Sequence, residues 1–194
     1  MNLNVKKTKE MIVDFRTGEK PAVEPLVIKN ENVDIVHNYT YLGSVMNDKL
    51  KVTDNVCKLY KKSNQRLYFL RKLKNVHVDT CILTMFYRSI IESVLTFCVT
   101  YWYGLATVQD KNKLNKIVKC ARKLGCLNVN DIDTMYRCLI VEKMSKIMKS
   151  EVHPLNKYFK MLPSQKRISS VYARTSRFSN TFVPSAIRQF NGHD

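Results

Sequence analysis

The residues of this chain that could carry chemistry are few, and their spacing favours none of the usual constellations. His77-Val78-Asp79 has the His-x-Asp spacing of an iron-binding facial triad, with His153 as the candidate third ligand. That geometry needs a rigid β barrel to aim it, whereas His77 falls in a turn between two helical patterns, where Asp79 suits a helix cap or first turn. Cys120, Cys126 and Cys138 are spaced C-x5-C-x11-C with no nearby histidine, which is neither a zinc-finger nor a zinc-knuckle pattern. Two-metal nucleotidyl transfer requires adjacent aspartates and a third carboxylate. Here Asp34, Asp48, Asp54 and Asp79 stand isolated, and Asp131-x-Asp133 lies at a helix start where capping explains it. No metal site is expected.

Charge is the stronger signal. The 194 residues carry 33 Lys plus Arg against 16 Asp plus Glu, a formal net charge of +17. Residues 1–50 hold 7 basic and 7 acidic side chains, residues 51–100 hold 9 and 3, residues 101–150 hold 10 and 4, and residues 151–194 hold 7 and 2. The whole excess therefore follows Leu50, and such a field favours a polyanionic partner, nucleic acid ahead of a membrane surface. With 45% hydrophobic residues and only 5 Gly and 5 Pro, the chain is neither a disordered basic tail nor a low-complexity sequence. Five of the six cysteines fall in amphipathic or apolar runs, as small buried hydrophobes do. No apolar stretch of secretory length follows Met1, so an intracellular protein, nuclear or cytoplasmic and not secreted, with reduced thiols is expected.

The elements that must position these groups change character near residue 50. Before it, the apolar runs MIVDF (11–15), PLVI (25–28) and YTYLGSV (39–45) are separated by Thr17-Gly18, Pro21, Pro25 and Asn30-Glu31-Asn32, which reads as three or four short strands. After it the period becomes helical. A first helix, Thr53 to about Lys74, carries the stripe Val56, Leu59, Tyr60, Ser63, Leu67, Leu70 and Leu73. Its other side holds Lys58, Lys61, Lys62, Arg66 and Lys72, with Phe69 among them. A second, buried helix is expected from Val78 to Gly104. Its run from Cys81 to Val108 is nearly all apolar, but Arg88 and Glu92 interrupt it four residues apart, where they can pair, so no membrane span is expected. A third helix, Gln109 to Leu124, sets Leu114, Ile117, Val118, Ala121 and Leu124 against Lys111, Lys116, Lys119, Arg122 and Lys123. A fourth begins at Asn130 as cap and buries Ile132, Met135, Tyr136, Leu139, Ile140, Met144 and Ile147. A basic stretch, poorly ordered by its composition, runs from Pro163.

In order along the chain, three segments resemble the reverse transcriptases of non-LTR (LINE-type) retrotransposons. LNVKKTKEMIVDF resembles the segment after their catalytic Asp-Asp strand. HNYTYLGSVMNDKLKVTDNV is similar to their primer-grip hairpin and the start of the thumb, and ARTSRFSNTFVPSAIRQFN resembles the C-terminal end of these open reading frames in vertebrate elements. The resemblance implies that Lys7, beside Asn4 and Thr8, stands where an intact parent places a general acid for the leaving pyrophosphate; as a residue, Lys7 reads equally as one solvated lysine of Lys6, Lys7 and Lys9. It also implies that Tyr41, Leu42 and Gly43 form the primer grip. The parent would use Mg2+, but the Asp-Asp pair has no counterpart here, so this chain is not expected to polymerise DNA alone or to hold a cofactor. Val52 replaces a tryptophan frequent in the family, which puts the packing of the first helix in doubt, and Lys123-Leu124-Gly125-Cys126 is irregular there.

The expected fold is α+β and predominantly α: a short antiparallel β-hairpin remnant of palm and primer grip over 1–50, a four-helix thumb-like bundle over 51–162 and a basic C-terminal tail over 163–194. The expected function is binding of an RNA–DNA hybrid or duplex by Lys58, Lys61, Lys62, Arg66, Phe69, Lys72, Lys116, Lys119, Arg122 and Lys123. Residues 54–86 also resemble the N-terminal domain of an AlkB homologue, which would link the chain to an iron and 2-oxoglutarate dioxygenase or a methyltransferase. A plain helical interaction module is the third reading. Convergence of the basic faces of the first and third helices separates a binding track from scattered, solvated lysines.

Overall fold

A computed structural model describes residues 4–16, 18–19 and 22–192. Leu3, Thr17, Pro21 and Asp194, which enter the reading above, lie outside the described residues. The chain is α+β and predominantly helical, and it divides into two compact units, Met1–Lys58 and Leu59–Asp194.

In the first unit, a 3-10 turn Val5–Lys7 leads into short strands: β1 (Lys9–Glu10), β2 (Val27–Ile28), β3 (Glu31–Asn32), β4 (Asp34–Ile35), β5 (Asn38–Tyr41) and β6 (Ser44–Asn47). β2 and β3 pair antiparallel around Lys29 and Asn30, both at positive φ (52° and 60°). β5 and β6 pair antiparallel around Leu42 and Gly43 at φ 45° and 90°. Two consecutive positive φ values give the primed turn whose twist matches paired strands. Two expectations change. β1 pairs with β4 in parallel, joined by a Lys9–Asp34 ion pair, and residues 11–15 form no strand. Residues 11–15 join no strand ladder among the described residues, and apolar alternation alone does not make one.

Helix α1 (Thr53–Asn75) forms because Val56, Leu59, Ser63, Leu67 and Leu70 recur every three or four residues, and all five are buried. Asp54 in its first turn and Lys72 and Lys74 in its last complement the helix dipole. Val52 is itself buried, so valine fills the position where the resembled family has tryptophan. α1 ends in a Schellman closure: His77 takes φ 53°, its N–H donates to the Lys74 carbonyl (3.1 Å), and Val78 N–H reaches Leu73 (3.2 Å).

The expected continuous helix 78–104 is broken. It consists of α2 (Thr80–Phe86), a π-helical stretch Tyr87–Glu92, α3 (Ser93–Leu95), α4 (Val99–Trp102) and a 3-10 turn Tyr103–Leu105. Hydroxyls loosen the ladder by bonding back to carbonyls: Ser89 Oγ to Met85 (2.9 Å), Ser93 Oγ to Ser89 (2.6 Å) and Thr96 Oγ1 to Glu92 (2.9 Å). Cys98 at φ 50° then turns the chain, and Trp102 Nε1–H donates to the Phe97 carbonyl (2.9 Å). The resulting bend is 41°, and among the described residues no single helix is long and apolar enough to cross a membrane. Arg88 and Glu92 form no ion pair; Arg88 reaches toward the Asn128 carbonyl (3.5 Å).

α5 (Val108–Lys123) is capped by Thr107, whose hydroxyl accepts from Asp110 N–H (3.1 Å); at α6 (Ile132–Met148) the N-cap position falls on Asp131 in place of the expected Asn130, and its carboxylate makes no cap bond but pairs with Arg122. Of the expected α6 core residues only Leu139 is incompletely buried. The Lys123-Leu124-Gly125-Cys126 irregularity is a second Schellman closure: Gly125 at φ 98° donates to Arg122 (3.0 Å) and Cys126 to Ala121 (3.2 Å).

The C-terminal stretch is more structured than its composition suggested. α7 (Ser176–Ser179) and α8 (Phe182–Asn191) follow, and α8 buries Pro184, Ser185, Ala186 and Ile187 and packs on α6. Asn191 exchanges hydrogen bonds with the backbone of Ile168 (2.9 Å each way), pinning the loop before α7. Four consecutive small or apolar residues, buried around most of the helix circumference, offset the ordering cost that the basic composition disguised. Among the six cysteines only Cys126 is fully buried, which corrects the expectation that most of them pack as core.

Candidate nucleic-acid interface

Three contacts set α1 beside α5 within the helical unit. Near one end, the Lys113 ammonium lies 5.1 Å from the centroid of the Tyr60 ring. Further along, Arg71 Nη2 is 3.4 Å from Cys120 Sγ. At the far end, Lys74 Nζ is 3.5 Å from the position a Cβ on Gly125 would take. The contacts advance in the same sense along both segments, so α1 and α5 progress in one direction, linked by long side chains and not by close backbone packing.

That arrangement decides which lysines share a surface. Tyr60, Arg71 and Lys74 mark the α1 edge of the seam, and Lys113 and Cys120 mark the α5 edge. Moving outward on α1 come Lys61, Gln65, Tyr68 and Lys72, all exposed; moving outward on α5 come Lys116, Lys119 and Lys123, also exposed. The only carboxylates within either helix are Asp54, in the first turn of α1, and Asp110, buried in the first turn of α5. The outer faces therefore carry cations without intervening acids, so their field adds.

The other sequence-predicted residues are divided by what their side chains already hold. Lys58 lies in the first unit, where its ammonium donates to the Gly43 carbonyl (3.0 Å). Arg66 donates to the Ile90 carbonyl, tying α1 to the π-helical stretch. Arg122 donates through Nε and Nη2 to the Val129 carbonyl (3.0 and 2.8 Å) and pairs with Asp131 (3.1 Å), closing the loop between α5 and α6. These three have structural contacts, whereas Lys61, Lys62, Lys72, Lys116, Lys119 and Lys123 are presented to solvent. Phe69 is 57% exposed beside Tyr68 at 53%, the two rings edge to face with centroids 5.6 Å apart, and the Lys72 ammonium stands 5.5 Å from the Tyr68 centroid. The sequence reading omits Tyr68, Arg71, Lys74 and Lys113. Their signal was available in part, since Tyr68 adjoins Phe69 on the polar side of the helix, but the seam contacts depend on how two helices dock.

In the first unit, Tyr41, Leu42 and Gly43 sit exposed at the tip of the β5–β6 hairpin. Lys7 is exposed in the 3-10 turn, where the Asn4 side chain accepts from Lys7 N–H (3.2 Å) and the Thr8 hydroxyl donates to the Asn4 carbonyl (3.0 Å). Asn4 and Thr8 thus cap the turn that carries Lys7.

Catalytic groups do not gather elsewhere among the described residues. No three His, Cys, Asp or Glu side chains converge as metal ligands. His77 closes α1, and Asp79 caps α2 by accepting from Cys81 N–H (2.7 Å), so the His-x-Asp spacing is that of two adjoining helix ends. An open groove of about 620 Å3, lined by residues including Met85, Leu127 and Arg88, is mainly apolar. Burial pushes the Glu92 carboxyl above its ordinary range, partly opposed by Arg88, and burial pushes the Cys126 thiol up, partly opposed by Lys74.

Comparison with known proteins adds one similarity. The family model described as alkylated DNA repair protein alkB homolog 8, N-terminal, matches residues 52–93, the segment from the start of α1 through the π-helical stretch. None of the comparisons supports the expected kinship with retrotransposon polymerases. No curated protein and no solved structure matches the chain.

Proposed function

We propose that the helical unit is a nucleic-acid-binding module that grips the phosphate backbone along the α1–α5 face. The observation that carries this reading is the linking of two helices, through Tyr60–Lys113 and Arg71–Cys120, whose outer faces hold Lys61, Lys72, Lys116, Lys119 and Lys123 and no carboxylate. Lysine suits the task because its ammonium is a mobile point charge that follows an irregular backbone, and each phosphate it neutralises releases condensed counterions. The matched family adds support of a coarse kind, since its printed description concerns proteins that act on damaged DNA and the match covers all of α1. In this reading the chain is a targeting element attached to an enzyme, and an AlkB-type parent is the one the family match favours.

A second reading places the same module in a reverse transcriptase thumb. What favours it is the exposed Tyr41-Leu42-Gly43 hairpin tip, which precedes α1 in the chain in the order the polymerase resemblance requires. The two parents differ in what precedes this sequence in the transcript: an in-frame Asp-Asp strand identifies the polymerase, and its absence over several hundred upstream nucleotides removes it. The shared function is tested by titrating the purified chain with fluorescent 20-nucleotide DNA at several salt concentrations. Binding that weakens linearly in log–log form supports the backbone grip; no binding at 50 mM salt refutes it.

A further inference from the structure

From the aromatic pair on α1 we infer that this face selects single-stranded over duplex nucleic acid, with Phe69 as the platform on which a base stacks; the inference rests on the backbone-binding reading above. Exposed phenylalanine on a helix normally costs solubility, yet Phe69 and Tyr68 together leave 57% and 53% of their surface open on the face that bears the lysines. Tyr68 meets Phe69 edge to face and steadies the ring. The Lys72 ammonium, held over Tyr68, lies one helical turn beyond Phe69, and Lys62 lies two turns before it on the same face. A base on Phe69 therefore places its own 5′ and 3′ phosphates between cations along the helix axis.

Charge complementarity identifies the occupant. An acidic or apolar protein partner would meet the lysines or the rings, but a single strand meets both, because phosphates and unpaired π faces alternate along it. A duplex offers only phosphates here, since its bases are stacked on one another and a helix-borne phenylalanine cannot reach their faces without unstacking them. Stacking is tolerant of sequence, so the preference expected is for strandedness and not for a base order.

The test uses the full chain and three variants, Phe69→Leu, Phe69→Trp and the combined Lys61→Gln, Lys72→Gln, Lys116→Gln and Lys119→Gln. The probes are a 20-nucleotide dT strand and a 20-base-pair duplex. The wild type is expected to prefer the strand, and Phe69→Leu to weaken strand binding about tenfold while leaving the duplex and the salt slope unchanged. Phe69→Trp is expected to restore strand affinity and to show fluorescence quenching on binding, against a background from Trp102, which is fully buried. If Phe69→Leu binds the strand like wild type, or loses strand and duplex equally, stacking is refuted while the lysine grip stands, provided the lysine variant still weakens both probes. If neither probe binds the wild type, the backbone reading itself fails. Self-association through the rings in place of binding, seen as a dimer that Phe69→Leu dissolves, also overturns the inference.

Discussion

Gly104 sits where the helical unit leaves no room for a side chain. A Cβ there would stand 2.3 Å from the Asn180 carbonyl oxygen and 3.1 Å from the Tyr136 hydroxyl, so the chain before α8 passes directly over it. Backbone cannot yield as a side-chain end can. Gly104→Ala is expected to destabilise the fold by about 1–3 kcal/mol, read as a lowered urea midpoint at an unchanged m-value. Glu92 makes a different kind of prediction. Its pKa is raised chiefly by burial, with Arg88 acting oppositely, so the folded chain holds this proton more tightly than the unfolded one. Stability from that proton is complete below the ordinary value of 4.5 and is lost as pH rises through the folded value. Glu92→Gln should therefore gain on wild type between pH 4 and pH 7 in urea midpoints, and a gap that does not change with pH would refute the assignment. The charged or titratable groups coupled to Glu92 are Arg88, four residues earlier, whose guanidinium reaches the Asn128 carbonyl (3.5 Å), and the buried Tyr87. The four-residue spacing predicts an ion pair, but the Arg88 guanidinium is drawn to a carbonyl of the loop after α5, a partner that spacing does not display.

At the scale of elements, α1, α5 and α6 were legible because each has an apolar stripe at helical spacing and an acid or hydroxyl at its start. The break at residues 96–98 was not. It involves no glycine or proline, only hydroxyls that bond back to carbonyls and one cysteine in the left-handed region, and these act through geometry that a residue string does not display. α8 was missed for the reverse reason: a local excess of serine, arginine and lysine outweighed a short apolar face whose value depends on α6 being there to receive it. The two Schellman closures show the same dependence. Gly125 declares itself as a C-terminal glycine, whereas the left-handed conformation of His77, in the turn where the sequence places it, is not announced by its residue type. Gly125→Ala should cost about 1 kcal/mol through strain at φ 98° and lower the thermal midpoint by several degrees, with the Cys120 and Arg71 contact kept. A neutral or stabilising substitution would mean that the closure is not formed.

For the whole molecule the net charge of +17 has been resolved into parts with different roles. Arg66 and Arg122 hold the helical unit together from within, and Lys58 serves the first unit, although the sequence placed all three in the binding set. What remains on one face is the lysine array of α1 and α5, which the docking of the helices gathers and which helical wheels drawn separately could not join. Its gathering is the central claim, and the salt dependence of binding tests it most directly. Equilibrium titration of 20-nucleotide DNA from 50 to 300 mM salt should give a linear log–log plot for wild type. In the variant with Lys61, Lys72, Lys116 and Lys119 replaced by Gln, with the helical circular dichroism spectrum unchanged, the slope should shrink by about 3, as expected for four lost phosphate contacts. An unchanged slope in that variant would contradict the account.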